Sequence, residues 1–255
     1  MSSNSSLLVY LNSALLLITL CFLVFIAHKI KRIHLKQYDA ERIFGQRIDN
    51  LFSQLEALSA IHRDLGLSIS LPATREWAAS PDFLRHVARS ASDVRPLTVV
   101  ECSSGASTVV LAKVMQMNGA GHVFSLEHDP YYAIKTKLEL ERQGLEAYAT
   151  VINAPLTKHQ LSEGEWNWYE TKGLPPSIDM LVVDGPPLST QHLARYPAIP
   201  LLDSLLGVNG LIFVDDADRS DEREAVSRWG KEFGWMPVDS FRAEKGIAVL
   251  KRRKG

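Results

Sequence analysis

The stretch Val99-Val100-Glu101-Cys102-Ser103-Ser104-Gly105-Ala106-Ser107-Thr108 decides the fold. An apolar strand beginning at Leu97 runs into Glu101. A tight loop of small residues follows, and a helical pattern opens through Val109, Val110, Leu111, Ala112 and Val114. Strand, small-residue turn and helix N-terminus form a nucleotide-type binding corner in open α/β sheets. Small side chains let a ligand approach the backbone, and the helix start offers unpaired N–H groups.

Outward from this corner, strands and helices alternate. Strands are expected near 97–102, 122–127, 148–153, 178–184, 210–215, 235–240 and 246–251, and helices near 106–118, 130–143, 190–206 and 220–233. Val123–Leu126, Met180–Val183 and Leu211–Val214 are short apolar runs, the pattern of central parallel strands buried on both faces. The order predicts a doubly wound, Rossmann-like α/β sheet of seven strands, with ligands at the strands' carboxyl ends. About five residues separate the last two strands, too few for a crossover helix, so the last strand should pair antiparallel. Upstream, Ser80-Pro81-Asp82 starts a helix, with Ser80 as N-cap and Leu84, Val87 and Ala88 on one face.

The 255 residues suggest one sizeable domain plus an appendage. Hydrophobic and charged shares of 46% and 22% are ordinary globular values, and a net charge of −1 gives no nucleic-acid footprint. Two cysteines, Cys21 and Cys102, argue against a disulfide framework and read as buried small hydrophobes.

The appendage is N-terminal. Residues 1–28 hold no Lys, Arg, Asp or Glu, and Leu7 to Ala27 is apolar apart from Asn12, Ser13 and Thr19. As a helix this run is roughly 31 Å long, matching a bilayer core. Lys29, Lys31, Arg32 and Lys36 follow at once, so the positive-inside rule predicts a single-pass membrane anchor with the remainder cytoplasmic. A cleaved signal peptide would carry positive charge before the apolar run and a small-residue cleavage site after it, and neither pattern is present. Residues 29–70 read as a helical stalk, which Leu71-Pro72 breaks. Phe44, Ile48, Leu51, Leu55, Leu58 and Leu65 alternate three and four apart, with His62 in one expected apolar position. This is the spacing of a short coiled coil, and hence of a homodimer through residues 44–65. A helix packed on its own domain satisfies the same spacing.

Four strand ends carry acids: Glu101, then Glu127-His128-Asp129, then Asp184, then Asp215-Asp216. In a doubly wound sheet they converge on one crevice. Glu127, some twenty residues past the glycine loop, suits ribose hydroxyls. The bland alternative, an acid at the helix start before Pro130, fits Asp129 better.

Glu101–Thr108, then Leu126-Glu127-His128-Asp129-Pro130-Tyr131, then Val183-Asp184-Gly185-Pro186-Pro187, then Val214-Asp215-Asp216-Ala217-Asp218 resemble the class I S-adenosylmethionine-dependent methyltransferases. The nearest group is the small methyltransferase-domain family with a strand-end Leu-Glu-His-Asp and a Val-Asp-Gly-Pro-Pro segment. The resemblance covers Leu71 to Leu250 and makes residues 71–255 the methyltransferase-like domain. It implies S-adenosylmethionine as cofactor, with Glu101, Ser103, Gly105 and Ser107 beneath its methionine part. Glu127 would hold the ribose hydroxyls, His128 would lie beside the adenine, Asn153 and Ala154 would flank the adenine, and Asp184 would face the reacting end. The family loop has several glycines and this one has only Gly105; serines substitute where the backbone is not left-handed.

Asp184, Asp215 and Asp216 can chelate a hard divalent cation such as Mg²⁺, as the two Asp and one Asn of catechol-type O-methyltransferases do. Asp184 and Asp215 are then the candidate catalytic carboxylates. Alternatively, Asp215 and Asp216 cap the helix near Ser220. Residues 155–177, holding Trp166, Trp168 and Tyr169, form the longest irregular connection, a binding loop for an apolar acceptor or a cover over the sheet edge. Arg195-Tyr196-Pro197, in an apolar helical run, is a further pocket wall, and Lys251-Arg252-Arg253-Lys254 a solvated end.

The functional reading is a membrane-anchored methyltransferase acting on an O or N of a small-molecule acceptor. One rival is a degenerate methyltransferase fold serving as an anchored scaffold. The other is a nicotinamide-dependent oxidoreductase, which the lack of Gly-x-Gly-x-x-Gly spacing disfavours.

Overall fold

The computed structural model describes residues 3–74, 78–241 and 243–253. The chain divides into two units, residues 1–52 and 53–255. Helix α1 runs from Ser3 to Asp64 without interruption. In the first unit the large apolar side chains from Leu7 to Phe25 are 56–74% exposed. The helix is long and apolar enough to cross a membrane.

In the second unit the end of α1 buries Gln54, Ala57, Ala60 and Ile61, with Leu65 just beyond it. Of these, only Leu65 belongs to the expected coiled-coil stripe. Leu55 is exposed and Leu58 half-buried. Helix α2 (Pro81–Val94) has Pro81 at its first position and buries Phe83, Leu84, Val87, Ala88 and Ala91. Ser80 makes no side-chain cap bond; its hydroxyl goes to Asp82 Oδ1 at 2.5 Å, and Asp82 Oδ1 accepts from Phe83 N.

The sheet contains β1 (Thr98–Cys102), β2 (His122–Glu127), β3 (Ala149–Asn153), β6 (Ile178–Val183), β7 (Leu206–Asp215), β8 (Trp235–Phe241) and β9 (Ile247–Arg252). Their order is β3-β2-β1-β6-β7-β9-β8. The first five run parallel, and β9 pairs antiparallel with both β7 and β8, as the short last connection requires. Each central strand feeds two cores. Val99, Met180, Val182, Leu211 and Phe213 face one, with α2, α3 (Ala106–Asn118) and α4 (Pro130–Gln143). Val100, Leu181, Val183, Ile212 and Val214 face the other, with α5 (Ala198–Leu202) and α6 (Ser220–Phe233). Period-two alternation with both faces apolar is why these strands read as continuous hydrophobic runs.

Two expectations are corrected. Residues 155–177 are not irregular throughout. Leu156–Leu161 (β4) and Gly164–Tyr169 (β5) form an antiparallel hairpin, because Trp166 and Trp168 alternate with polar residues behind a two-residue turn at Ser162-Glu163. Residues 190–206 are not one helix either. A 3-10 turn spans Leu188–Thr190, Leu193 sits at φ 53, and regular helix occupies only Ala198–Leu202. Pro197 disfavours helical geometry at Tyr196, which stops the helix from extending upstream.

Candidate functional site

The parallel strands end side by side, and their loops form a corner. Register sets Cys102 beside Leu126 on one side and Val183 on the other, and Glu127 beside Asn153. Backbone bonds tie the loops together: Ser103 N donates to Leu126 O at 2.9 Å, Asp184 N to Cys102 O at 3.2 Å, and Ala154 N to Glu127 O at 2.7 Å.

Glu101 lies beneath this corner, fully buried. Its Oε2 accepts from Thr108 Oγ1 at 2.6 Å and Ser125 Oγ at 2.8 Å, while Thr108 Oγ1 accepts from Gly105 N at 3.0 Å. Glu101 therefore pins the first turn of α3 to β2. Burial raises its pKa, against the hydroxyls of Ser107, Thr108 and Ser125, which lower it. Glu101 Oε1 has no hydrogen-bond partner among the described residues.

The loop above carries unusual backbone. Gly105 takes φ 154, ψ −135, a conformation open to glycine. Ser103 takes φ 115. This overturns the expectation that serines replace glycine here only where the backbone is not left-handed. The tight turn out of β1 requires a glycine-type conformation at 103, and a serine is held in it.

Glu127 is 4% exposed. Its Oε2 accepts from both Ser104 N (3.1 Å) and Ser104 Oγ (2.9 Å), and its Oε1 accepts from Asp129 N at 2.9 Å. His128 Nδ1 stands 3.2 Å from Oε1. Burial pushes the Glu127 carboxyl up, but bonds from His128, Asp129 N–H and Ser104 outweigh it and hold the group below its ordinary value. The same bond to Glu127 raises His128. Asp129 caps α4, accepting from Tyr131 N at 2.8 Å, which leaves Glu127 outside the helix-capping role. Asn153 is exposed and Ala154 buried beside it.

The β4–β5 hairpin delivers Tyr169 to the corner. A Cβ placed on Gly185 would collide with Tyr169 Oη and crowd Cys102 O and Ser103 Cβ. The Tyr169 ring also meets His128 edge-on, with centroids 5.8 Å apart. Burial raises the Tyr169 phenol well above its usual range, so it stays protonated and can donate. Sequence reasoning grouped Tyr169 with loop aromatics; the alternation around Trp166 and Trp168 was the signal for a hairpin.

Asp184, Asp215 and Asp216 do come together, with one ligand oxygen from each within 4.8 Å of the others. Arg195 lies among them. Its Nη2 donates to Asp216 Oδ2 at 2.7 Å and Asp184 Oδ1 at 3.3 Å, its Nη1 donates to Asp215 O at 2.7 Å, and its Nε is 3.5 Å from Glu222 Oε1. Arg219 Nη1 reaches Asp216 Oδ2 at 2.8 Å, and Lys245 Nζ lies 3.9 Å from Asp216 Oδ1. Asp216 takes φ 57, and Asp215 Oδ1 accepts from Asp216 N at 2.8 Å. Burial and the repulsion of Asp215 raise Asp184 well above its ordinary range, and burial with Asp216 pushes Asp215 up to about 6. A buried guanidinium thus already bonds Asp184 and Asp216, and although Asp215 Oδ2 and Asp216 Oδ1 have no hydrogen-bond partner, the fixed positive charge among these residues does not fit a resident Mg²⁺. Lys251 to Arg253 lie at the end of β9 and just beyond it, while Lys254 falls outside the described residues.

A family model described as "Methyltransferase domain" matches residues 100–217, from β1 through the Asp215-Asp216 turn. The sheet is the Rossmann-like, seven-stranded one of the methyltransferase fold. Solved structures share its fold at low identity. The SAH-bound methyltransferase PaMTH1 of Podospora anserina is 14% identical, with a TM-score of 0.55 over 78% of this chain and 88% of its own. A methyltransferase from Geobacter sulfurreducens is 15% identical, with a TM-score of 0.50 over 83% and 96%. An O-methyltransferase from Bacillus cereus in complex with SAH is 15% identical, with a TM-score of 0.50 over 77% and 91%. No curated protein matches the sequence. The matched stretch contains the corner, the hairpin and the acidic cluster.

Proposed function

We propose that this chain is a membrane-anchored, S-adenosylmethionine-dependent methyltransferase that transfers a methyl group to an oxygen or nitrogen of a small-molecule acceptor on the cytoplasmic side. The observation that carries the reading is Glu127: an ionised, nearly buried carboxylate at the end of β2, against the Ser103–Gly105 loop and in register with Asn153. In this reading Glu127 accepts the ribose hydroxyls, and Asn153, Ala154 and His128 bound the adenine. The backbone of the loop at Ser103, Gly105 and Ser107, pinned from below by Glu101, carries the methionine part. S-adenosylmethionine supplies a methyl on a sulfonium, which an aligned acceptor takes by in-line displacement. The chain's contribution is alignment and exclusion of water. Asp184 and Tyr169 stand at the acceptor end, where a protonated phenol can hold the acceptor atom by a hydrogen bond.

Calorimetric titration of the full chain in detergent micelles tests the reading. S-adenosylmethionine should bind, and Glu127→Ala should weaken it by on the order of 1.5–3 kcal/mol, a charge-assisted bond left unmade. Unchanged affinity in a folded Glu127→Ala chain removes the ribose role.

A second reading, an anchored scaffold that has lost transfer, has its own observation: both donors of Ser104 already occupy Glu127 Oε2, and Ser103 strains the loop. Failure of S-adenosylmethionine to bind the folded wild-type chain would favour it. Heat with NAD instead would revive the oxidoreductase.

A further inference from the structure

We infer that Arg195 is a built-in cation occupying the place of a divalent metal, so that methyl transfer in this chain is metal-independent and Arg195 positions Asp184 at the acceptor end. The metal part stands on the geometry of the cluster alone. The role at the acceptor end rests on the methyltransferase reading.

Three observations converge. First, the guanidinium bonds two of the three carboxylates a metal would use, at Asp184 Oδ1 and Asp216 Oδ2, and the backbone oxygen of the third residue, Asp215. A hard cation takes six or more oxygens. Here Asp216 Oδ2 is shared by Arg195 and Arg219 and Asp215 Oδ1 is spent on its own turn, so that Asp215 Oδ2 and Asp216 Oδ1, the buried oxygens of these two residues without a hydrogen-bond partner, fall well short of such a shell. Second, the arginine is fixed. It is 5% exposed, the side chain of Glu222 approaches its Nε at 3.5 Å, and the irregular turn around Leu193 delivers it from the segment following β6. A dication entering among these oxygens meets a buried positive charge that has no exit to solvent, and breaking its bonds leaves that charge unpaired. Third, the charge is matched without an ion. Asp184, Asp215, Asp216 and Glu222 face Arg195, Arg219 and Lys245. The single excess negative charge is removed by one proton, which a dication would overshoot.

Two strand ends that could present carboxylates to a metal therefore present an internal salt-bridge network. Among its carboxylates the most exposed is Asp184, with 11% of its side chain accessible. Arg195 is a positioning residue. It holds the Asp184 carboxyl in one orientation, and it does so at any metal concentration.

The test is Mn²⁺ binding read by the loss of the free-ion paramagnetic resonance signal, using the full chain in detergent. Wild type should leave the signal unchanged. Arg195→Gln should take up one equivalent of Mn²⁺, and Asp216→Asn added to it should abolish the uptake. Arg195→Lys, which keeps the charge, should bind none. If Arg195→Gln folds poorly, recovery of folded protein that depends on Mn²⁺ reports the same uncovered site, and recovery indifferent to Mn²⁺ overturns the inference. One equivalent bound by wild type and lost in Asp216→Asn overturns it as well, as does a folded Arg195→Gln chain that ignores the metal. Because the readout is the ion, failure here is distinct from failure of the chain to bind S-adenosylmethionine.

Discussion

Ser103 shows how much of the site is decided by one backbone angle. At φ 115 a serine carries strain that glycine would not, and the position sits in the loop assigned to the cofactor. Ser103→Gly should raise the free energy of unfolding by about 1 kcal/mol, the relieved strain minus the greater chain entropy of glycine, as read by denaturant titration. The sequence shows a serine there but not its angle, because the angle follows from the bond between Ser103 N and Leu126 O on a neighbouring strand. Asp215 makes a second residue-scale case. Its folded pKa is raised from 3.8 to about 6, so between those values the native state binds more protons than the unfolded state. Stability from this group is then greatest at low pH and falls as pH rises through that window. Relative to wild type, Asp215→Asn should gain on the order of 1–3 kcal/mol of stability between pH 4 and pH 7. A difference independent of pH would place the titration elsewhere in the cluster.

At the scale of elements, the β4–β5 hairpin carries the largest lesson. Trp168 is fully buried in the core shared with Tyr196, Trp229 and Trp235, and its neighbour Tyr169 reaches Gly185. Trp168→Ala should cost about 3–5 kcal/mol, the loss of a buried aromatic plus its cavity. Binding at the corner should weaken with it, because the same strand holds Tyr169. A variant of normal stability by thermal unfolding would mean that the hairpin is peripheral. Helices α3, α4 and α6 lie within a residue or so of their expected limits, because each is bounded by a local signal: Gly119, Gly144 and Gly234 end them in left-handed conformations. The stretch 190–206 holds two prolines, Pro197 and Pro200, and regular helix occupies only Ala198–Leu202 of it.

On the scale of the whole molecule, the apolar and uncharged start of α1 and the basic cluster after it set the expected topology: one span, with residues 29–255 in the cytoplasm. Protease added to intact cells should leave the globular unit, residues 53–255, uncut, and detergent lysis should expose it. Digestion from outside would reverse the orientation. The exposed stripe of Phe44, Ile48, Leu51 and Leu55 is a property of the helix alone; the residues that the second unit buries, Gln54, Ala57 and Ile61, follow a different line.

The sequence by itself determined the alternation of strands and helices, the antiparallel last strand, the acids at the strand ends and the apolar start of α1. Each of these rests on spacing, turn chemistry or composition within some twenty residues, and such signals are local. Tertiary structure alone decided what those acids do. The order β2-β1-β6-β7 brings residues 102, 126, 183 and 214 to one edge, and there Ser104 meets Glu127, Tyr169 meets Gly185, and Arg195 enters the Asp184, Asp215 and Asp216 cluster. These partners come from different strand-end loops and meet across turns whose course depends on packing against the sheet. A carboxylate's partner in such a place is set by geometry that no local pattern encodes.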